Sequence, residues 1–202
     1  RSKKHHEYLD ETITQIAYWK ATIGFDLIAD LIVDEGPDIG VSIGPFSPDN
    51  VKKAMVQPWM AFSTDGALGP LGEGFPHPRS YGSYPRLIEY YVRELGLLSL
   101  EEAIRKATSL PAQILGLRDR GTVREGLWAD LLVFDPKKVH NPSTYADPHH
   151  YAEGFDLVIV NGQVVLRDGK LTNATPGVVL RHRKPALGPG PAAPSASLRK
   201  SA

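Results

Sequence analysis

The chain has 202 residues, enough for one or two ordinary domains with a buried core. Lys plus Arg and Asp plus Glu both number 23, so the balanced charge does not favour nucleic acid as a partner. No apolar run approaches the about eighteen residues of a membrane-spanning helix, so no membrane partner is expected. Cysteine is absent, which leaves His, Asp and Glu as possible metal ligands and fits a reducing compartment, the cytoplasm. The sequence begins with Arg1, so we expect the later part of a longer polypeptide or a trimmed piece.

Hydrophobic periodicity and helix-capping residues predict an α/β order in the first part of the chain. The predicted elements are helices over residues 8–19 and 25–33, a β-branched strand over 39–43, a helix over 48–56, and a buried strand over 59–62. Gly24 separates the first two helices, and Ser47 followed by Pro48 predicts the start of the third. Strand, helix and strand in this order are typical of a parallel βαβ unit.

Asp65 follows the second predicted strand in the sequence Ser63-Thr64-Asp65-Gly66. In an α/β barrel, the carboxyl ends of the parallel strands hold the chemistry. A carboxylate there can ligate a metal ion or act as an acid/base on metal-bound water. The same pattern also fits an Asp that forms an Asx-turn before Gly66 and has no chemical role.

A Gly- and Pro-rich loop over residues 67–84 follows Asp65 and is too long for a mere connection. Its candidate functional side chains are Glu73, His77, Arg79, Tyr81 and Tyr84. The histidine could simply be exposed or locally hydrogen-bonded, and the tyrosines could line a pocket or fix the loop on the barrel.

The rest of the sequence predicts helices and then a β-rich segment. The predicted helices run from Pro85 to a stop at Gly96, from Leu100 to about Thr108 behind a Ser99/Glu102 capping box, and over residues 111–115 before Gly116. From Gly121 onward the predicted strands are 130–134, 157–160 and 164–166, with turns at Asn161-Gly162 and Asp168-Gly169. Residues 184–202 are rich in Pro, Ala and Ser and are expected to form a disordered tail.

Five motifs occur in the order found in one known family. They are FSTDG (62–66), HPRSYGSYPR (77–86), YVRELGLLSLEEAIRKATSLPAQILGL (91–117), GTVREGLWADLLVFDP (121–136) and VIVNGQVVLRDGKLT (158–172). Together they resemble the C-terminal part of the N-acyl-D-amino-acid deacylases (D-aminoacylases) of the amidohydrolase superfamily. The combination is specific, although each motif alone is weak.

The resemblance implies an α/β fold: the C-terminal portion of a metal-dependent (β/α)8 amidohydrolase barrel, followed by strands of a small β side domain. On this basis we expect barrel elements over 1–120, side-domain strands over 121–183 and the tail over 184–202. Strands 39–43 and 59–62 would be similar to the seventh and eighth barrel strands. Trp128-Ala129-Asp130 would pack at the start of a side-domain strand.

The resemblance also implies a Zn²⁺-dependent hydrolase of linear amides, with an N-acyl amino acid as its small-molecule substrate. Asp65 matches the family aspartate that contacts the metal and its water, takes the water proton and delivers it to the leaving nitrogen. Arg79 is suited to hold the substrate carboxylate bidentately, although a structural ion pair is an equal alternative. Tyr81, Tyr84 and His77 are the remaining candidates for substrate binding.

The chain departs from the family pattern in its metal ligands. It has no cysteine, and no histidine stands at a strand end before Asp65. We therefore expect most zinc ligands, and the rest of the barrel, to come from upstream sequence or another chain. The pairs His5-His6 and His149-His150 are poor chelates because adjacent side chains diverge. Alternative functions are a cyclic-amide hydrolase such as a dihydropyrimidinase-like enzyme, or a non-catalytic fragment that serves as an assembly module.

Overall fold

A computed structural model describes residues 4–8, 11–36, 40, 47–67, 69–74 and 76–181. The helices are α1 (Ile13–Trp19), α2 (Gly24–Glu35), α3 (Pro48–Met55), α4 (Arg79–Arg86), α5 (Leu100–Ala107) and α6 (Ser109–Ile114), with a 3-10 turn at His6–Tyr8 and a π-helical segment at Leu87–Glu94. The strands are β1 (Leu131–Phe134), β2 (Phe155–Val160), β3 (Gln163–Arg167) and β4 (Lys170–Leu171). The predicted strand over 39–43, apart from residue 40, and the predicted tail over 184–202 lie outside the described residues. No helix in the described ranges is long and apolar enough to cross a membrane.

The first two helices form a hairpin with its own small core. Thr12 caps α1 by accepting a hydrogen bond from the Gln15 N–H, while the Gln15 side chain accepts from the Thr12 N–H. This reciprocal capping box starts α1 at residue 13, later than the predicted residue 8. The buried cluster between the two helices consists of Ile16, Ala17, Leu27 and Leu31. The two predicted helices are therefore confirmed, with Gly24 as the first residue of α2.

The predicted strand over residues 59–62 is not formed. The segment has irregular backbone, and the Phe62 N–H donates to the carbonyl of Lys106, 3.0 Å away. A parallel strand needs a neighbouring strand to pair its backbone groups, and the four strands that the structure describes all lie in one separate antiparallel sheet. The predicted βαβ order is therefore absent from the described part of the chain.

Two cationic side chains of α5 hold the irregular segment instead. The buried Lys106 donates from Nζ to the carbonyls of Gln57 and Met60, the latter at 3.0 Å. Arg105 donates to the carbonyl of Pro58 at 2.6 Å. The Met60 carbonyl, within the predicted strand, and the two carbonyls before the strand thus receive charge-assisted hydrogen bonds from a helix.

The helix after the loop begins earlier than predicted. The loop was predicted to reach residue 84 and Pro85 to open the helix, but α4 begins at Arg79 and Pro85 lies inside it. Proline lacks an N–H and crowds the carbonyl one turn back, and the backbone widens into the π-helical segment directly after it. This segment ends at Glu94, and Gly96, two residues later, has a φ of 57°, the left-handed conformation predicted for the stop.

A second core forms where α3, the π-helical segment and α5 meet. Its buried members are Met55, Leu87, Leu98 and Ala103. One of the two hydrogen bonds of the predicted capping box of α5 is confirmed, because the Glu102 N–H donates to Ser99 Oγ at 3.2 Å. The Glu102 carboxylate does not return the bond; it accepts from Arg105 Nε at 2.7 Å.

The β segment is a four-stranded antiparallel sheet in the order β1-β2-β3-β4. Asn161 and Gly162 have φ values of 47° and 81°, which is the type I′ geometry that their sequence predicts. Asp130, which was expected only to pack at the start of β1, also makes two polar contacts. Its carboxylate accepts a hydrogen bond from the Asn161 N–H at 2.7 Å and forms an ion pair with Arg120. The last helix ends at Ile114 and the first strand begins at Leu131. A boundary between the two domains near residue 121 remains our proposal.

The stretch between β1 and β2 returns to α4 and the π-helical segment; we call residues 136–151 the return segment. Glu89 accepts hydrogen bonds from His140 Nδ1 at 2.6 Å and from the Asn141 N–H at 2.9 Å. Burial opposes ionisation of Glu89, but these hydrogen bonds outweigh it and lower the pKa of the carboxyl. Arg93 adds hydrogen bonds to two carbonyls of the same segment.

Gly82 marks the closest approach of the return segment to α4. A Cβ atom at this position would lie 1.9 Å from Oδ1 of Asn141. Asn141 Oδ1 also accepts from the Ser143 N–H at 3.2 Å, so its side chain is fixed within the return segment. A glycine in α4 therefore lets the two parts of the chain touch.

Candidate active site

Asp65 lies in an exposed turn directly after the segment held by α5. Its φ is 46°, in the left-handed region that aspartate tolerates better than most residues. The Ala67 N–H, which an Asx-turn of Asp65 would use, donates to Ser80 Oγ at 3.2 Å. The side chain of Asp65 is 86% exposed. The carboxylate is therefore not consumed by a local turn and can meet a ligand from solvent.

Arg79 contacts Asp65 through two separate bonds. Its Nε donates to the backbone carbonyl of Asp65 at 2.7 Å, and its Nη2 lies 3.0 Å from Oδ2 of the carboxylate. The first bond fixes the backbone at the strained turn. The second joins two exposed groups and is the weaker of the two.

The Asp65 turn also packs on the first turn of α4. A Cβ atom on Gly66 would lie 3.0 Å from the Cα atom of Ser80, so only glycine fits without moving the helix. The turn therefore sits against the residue next to Arg79 in sequence.

His77 supports the start of α4. Its Nδ1 accepts a hydrogen bond from the Arg79 N–H at 3.0 Å. Its Nε2 is 3.1 Å from the hydroxyl of Tyr145, whose ring also lies against it with centroids 4.9 Å apart. His77 is half-buried and joins the site to the return segment.

The two tyrosines that sequence singled out have different surroundings. The Tyr81 hydroxyl lies 3.3 Å from Nδ1 of His149, again on the return segment. The Tyr84 ring lies against Phe62, with centroids 5.4 Å apart and the planes tilted by 55°. Tyr84 therefore joins α4 to the segment before Asp65.

Sequence reasoning missed Tyr145 and His149, which approach the site from more than sixty positions away. The pair His149-His150 had been considered only as a chelate. The prediction that it diverges is confirmed, since His149 faces the loop after Asp65 while His150 contacts Asp147 at 2.7 Å. No local pattern in the sequence indicates such a long-range contact.

Zinc coordination cannot be completed by the residues that the structure describes. Within these ranges, no group of three or more His, Cys, Asp or Glu side chains could hold a metal ion. A catalytic zinc site takes about three protein ligands. Asp65 can offer one exposed oxygen ligand, so the described residues fit part of such a site and not the whole.

Comparison with known proteins identifies the class. Residues 6–166 match the amidohydrolase family, and the chain belongs to this family. The resemblance deduced from the five motifs is thereby confirmed.

Comparison with individual proteins shows which amidohydrolases the chain resembles. The chain is 43% identical over 105 residues to a D-aminoacylase and 41% identical over 116 residues to an N-acyl-D-glutamate deacylase, both of Alcaligenes xylosoxydans xylosoxydans. These matches cover 52% and 57% of this chain but only 22% and 24% of the relatives. A dihydroorotase of Methanothermobacter thermautotrophicus is 34% identical over 86 residues, 38% of this chain and 20% of the relative. The chain therefore spans less than a quarter of these relatives.

Solved structures show the same fold. A crystal structure of D-aminoacylase has a TM-score of 0.71 and 30% identity, covering 86% of this chain and 35% of that one. An N-acyl-D-glutamate deacylase from Bordetella bronchiseptica, solved with zinc and a phosphonate inhibitor, has a TM-score of 0.66 and 31% identity, covering 81% of this chain and 33% of that one. The predicted α/β amidohydrolase fold class is confirmed.

Proposed function

We propose that this chain is part of a zinc-dependent amidohydrolase that deacylates N-acyl-D-amino acids to a D-amino acid and a carboxylate. The observation that carries the proposal is the exposed carboxylate of Asp65, placed beside the guanidinium of Arg79 in a chain over 40% identical to D-amino-acid deacylases. An acid/base group and a cationic partner for a substrate carboxylate are what this reaction requires.

Asp65 is proposed as the acid/base. Zinc, when bound, lowers the pKa of a water molecule to about 7 and polarises the amide carbonyl. Asp65 would take the proton from the attacking water and give it to the leaving nitrogen, so that the amine departs neutral. Its side chain is exposed to solvent, with Oδ2 beside Arg79, and the Arg79 bond to its backbone carbonyl holds the turn in place.

Arg79 is proposed to bind the substrate carboxylate. Its Nε keeps the hydrogen bond to the backbone carbonyl of Asp65. Its Nη2 leaves the exposed carboxylate of Asp65 and binds the carboxylate of the substrate. This exchange costs little, because the ion pair of two exposed side chains contributes only about 0 to 1 kcal/mol. His77, Tyr81 and Tyr84 are proposed to shape the substrate pocket around it.

The D-amino-acid deacylases are preferred over a cyclic-amide hydrolase because they match 105 to 116 residues of the chain, whereas two dihydroorotases match 86 and 42 residues. Further barrel elements and most zinc ligands would come from upstream sequence or another chain. We place the enzyme in the cytoplasm, since a chain without cysteine suits a reducing compartment.

The test uses the full natural polypeptide that contains this sequence, purified with zinc. Hydrolysis of N-acetyl-D-amino acids, their L enantiomers and a cyclic amide such as dihydroorotate would be compared. Preferential hydrolysis of the D substrates, lost with a chelator and restored by zinc, is expected. Faster turnover of the cyclic amide would support the alternative, and no turnover of any amide would favour a non-catalytic assembly module.

A further inference from the structure

We propose that His149 is a positioning residue: it holds the loop between Asp65 and α4 in the shape that presents His77 and Arg79 to the substrate. The substrate part of this proposal rests on the proposed function. We call the described residues of this loop, 67, 69–74 and 76–78, the site loop.

The imidazole of His149 is half-buried and contacts the site loop at two points. Nδ1 accepts a hydrogen bond from the Gly72 N–H at 3.1 Å, and Nε2 is 3.0 Å from the carbonyl of Gly74. The hydroxyl of Tyr81, on α4, also lies 3.3 Å from Nδ1. One ring therefore joins the middle of the loop to the helix that follows it.

These contacts select one tautomer of the neutral ring. Since Nδ1 accepts from a backbone N–H, the proton of neutral imidazole lies on Nε2, where it donates to the Gly74 carbonyl. Both ring nitrogens are thus used by the backbone of the same loop. Gly72 and Gly74 have φ values of 83° and 66°, so the loop turns through left-handed conformations around the ring.

The site loop has few other means of keeping its shape. Residues 69–74 are exposed, so burial does not order them. The return segment supplies a second contact nearby, from the Tyr145 hydroxyl to His77 at 3.1 Å. The two contacts from one segment, at the middle and at the end of the loop, constrain the approach to Arg79. A loop ordered in advance binds its ligand more tightly because less freedom is lost on binding.

The experiment uses the full-length enzyme with three substitutions. His149→Phe keeps the ring but removes both polar contacts. His149→Asn keeps an acceptor near the position of Nδ1 and tests rescue. His150→Phe is the matched control, because its neighbouring ring contacts Asp147 and not the loop. Far-UV circular dichroism verifies that each variant is folded.

Two readouts are needed. Amide hydrogen exchange in peptides covering residues 69–74 should accelerate in His149→Phe and much less in His149→Asn, with His150→Phe like the wild type. The KM for an N-acyl-D-amino acid should rise roughly tenfold in His149→Phe, the scale of one or two net hydrogen bonds, while kcat falls by less than about threefold.

Each result tests a different part of the proposal. Unchanged exchange in His149→Phe would overturn the proposal whatever the activity, since the ring would not be holding the loop. Faster exchange with unchanged KM would overturn the substrate-positioning part. An enzyme inactive on all N-acyl amino acids would defeat the proposed function, and the exchange measurement alone would then judge whether His149 orders the loop. If His149→Phe does not fold, His149→Asn is compared with wild type by the same two readouts.

Discussion

Replacing Arg79 by lysine in the full-length enzyme tests the two bonds of this side chain separately. Lysine keeps the positive charge but has a single ammonium, which cannot reach the carbonyl of Asp65 and a carboxylate at once. The substitution should therefore weaken both the orientation of Asp65 and the binding of a substrate carboxylate.

The two losses have different magnitudes. Losing the 2.7 Å bond from Nε to the Asp65 carbonyl costs about 0.5 to 1.5 kcal/mol, and this loss falls on every substrate. Losing the charge-assisted hydrogen bond from Nη2 to the substrate carboxylate costs a further 1.5 to 3 kcal/mol, roughly ten- to 150-fold in kcat/KM. The further loss appears only when the substrate carries a carboxylate.

The assay compares kcat/KM for an N-acyl-D-amino acid and for the corresponding neutral amide. Arg79→Lys should lower the first at least about tenfold more than the second. Arg86→Lys is the matched control, because Arg86 ends the same helix with its guanidinium over Tyr90. Equal losses on both substrates would mean that Arg79 only holds Asp65, and the carboxylate-binding role would belong to another residue.

Four further predictions concern chemistry and stability. Asp65→Asn keeps a residue that tolerates a positive φ but removes the base, so kcat of the full enzyme should fall by about 10² to 10⁴ with an unchanged circular dichroism spectrum. The 202-residue chain alone should retain less than stoichiometric zinc after dialysis, measured by elemental analysis, because one carboxylate cannot complete a site. Lys106→Met should lower the free energy of unfolding by about 1 to 3 kcal/mol in urea, since the partly buried carbonyls of Gln57 and Met60 lose their donor. The lowered pKa of Glu89 gives stability that is present above the pKa of the unfolded carboxyl and is lost as pH falls, so Glu89→Gln should flatten the acid side of the stability profile.

Each of these has a result that would contradict it. Near-normal turnover of Asp65→Asn would return the residue to a turn-forming role, and tightly bound zinc in the isolated chain would reveal ligands in it beyond Asp65. Lys53→Met, a change at an exposed lysine of α3, is the control for Lys106→Met, and equal effects would show that burial of Lys106 does not matter. An unchanged acid slope in Glu89→Gln would mean that other carboxyls govern it.

Local chemistry made the helices, the hairpin turns and the candidate acid predictable. Capping at Ser99, the glycine stop at Gly96 and the Asn161-Gly162 turn depend on neighbours within a few residues, so their sequence suffices. Asp65 is singled out only by the five motifs together, because the motif around it is weak by itself, and its catalytic role remains a proposal.

Most features that the sequence did not predict depend on contacts between residues distant in the chain. Residues 59–62 have the composition of a buried strand, but a strand forms only against another strand, and here Lys106 of α5 binds the Met60 carbonyl and accepts from the Phe62 N–H. The predicted start of α4 is wrong. Proline is typical of the first turn of a helix, but Pro85 lies near the end of α4, which begins at Arg79. The contacts of His149 and Tyr145 bring together residues more than sixty positions apart, which no periodicity or spacing can show.

The contact between Gly82 and Asn141 restricts how this protein can diverge. With a Cβ only 1.9 Å from the amide oxygen, even alanine at position 82 requires the Asn141 side chain to move and to lose its hydrogen bond from the Ser143 N–H, or a smaller residue at position 141. The two positions should therefore drift as a pair in related sequences, although one lies before the proposed boundary at residue 121 and the other after it. A chimera that joins the helical part of one relative to the β segment of another should be viable only when both parents agree at this pair.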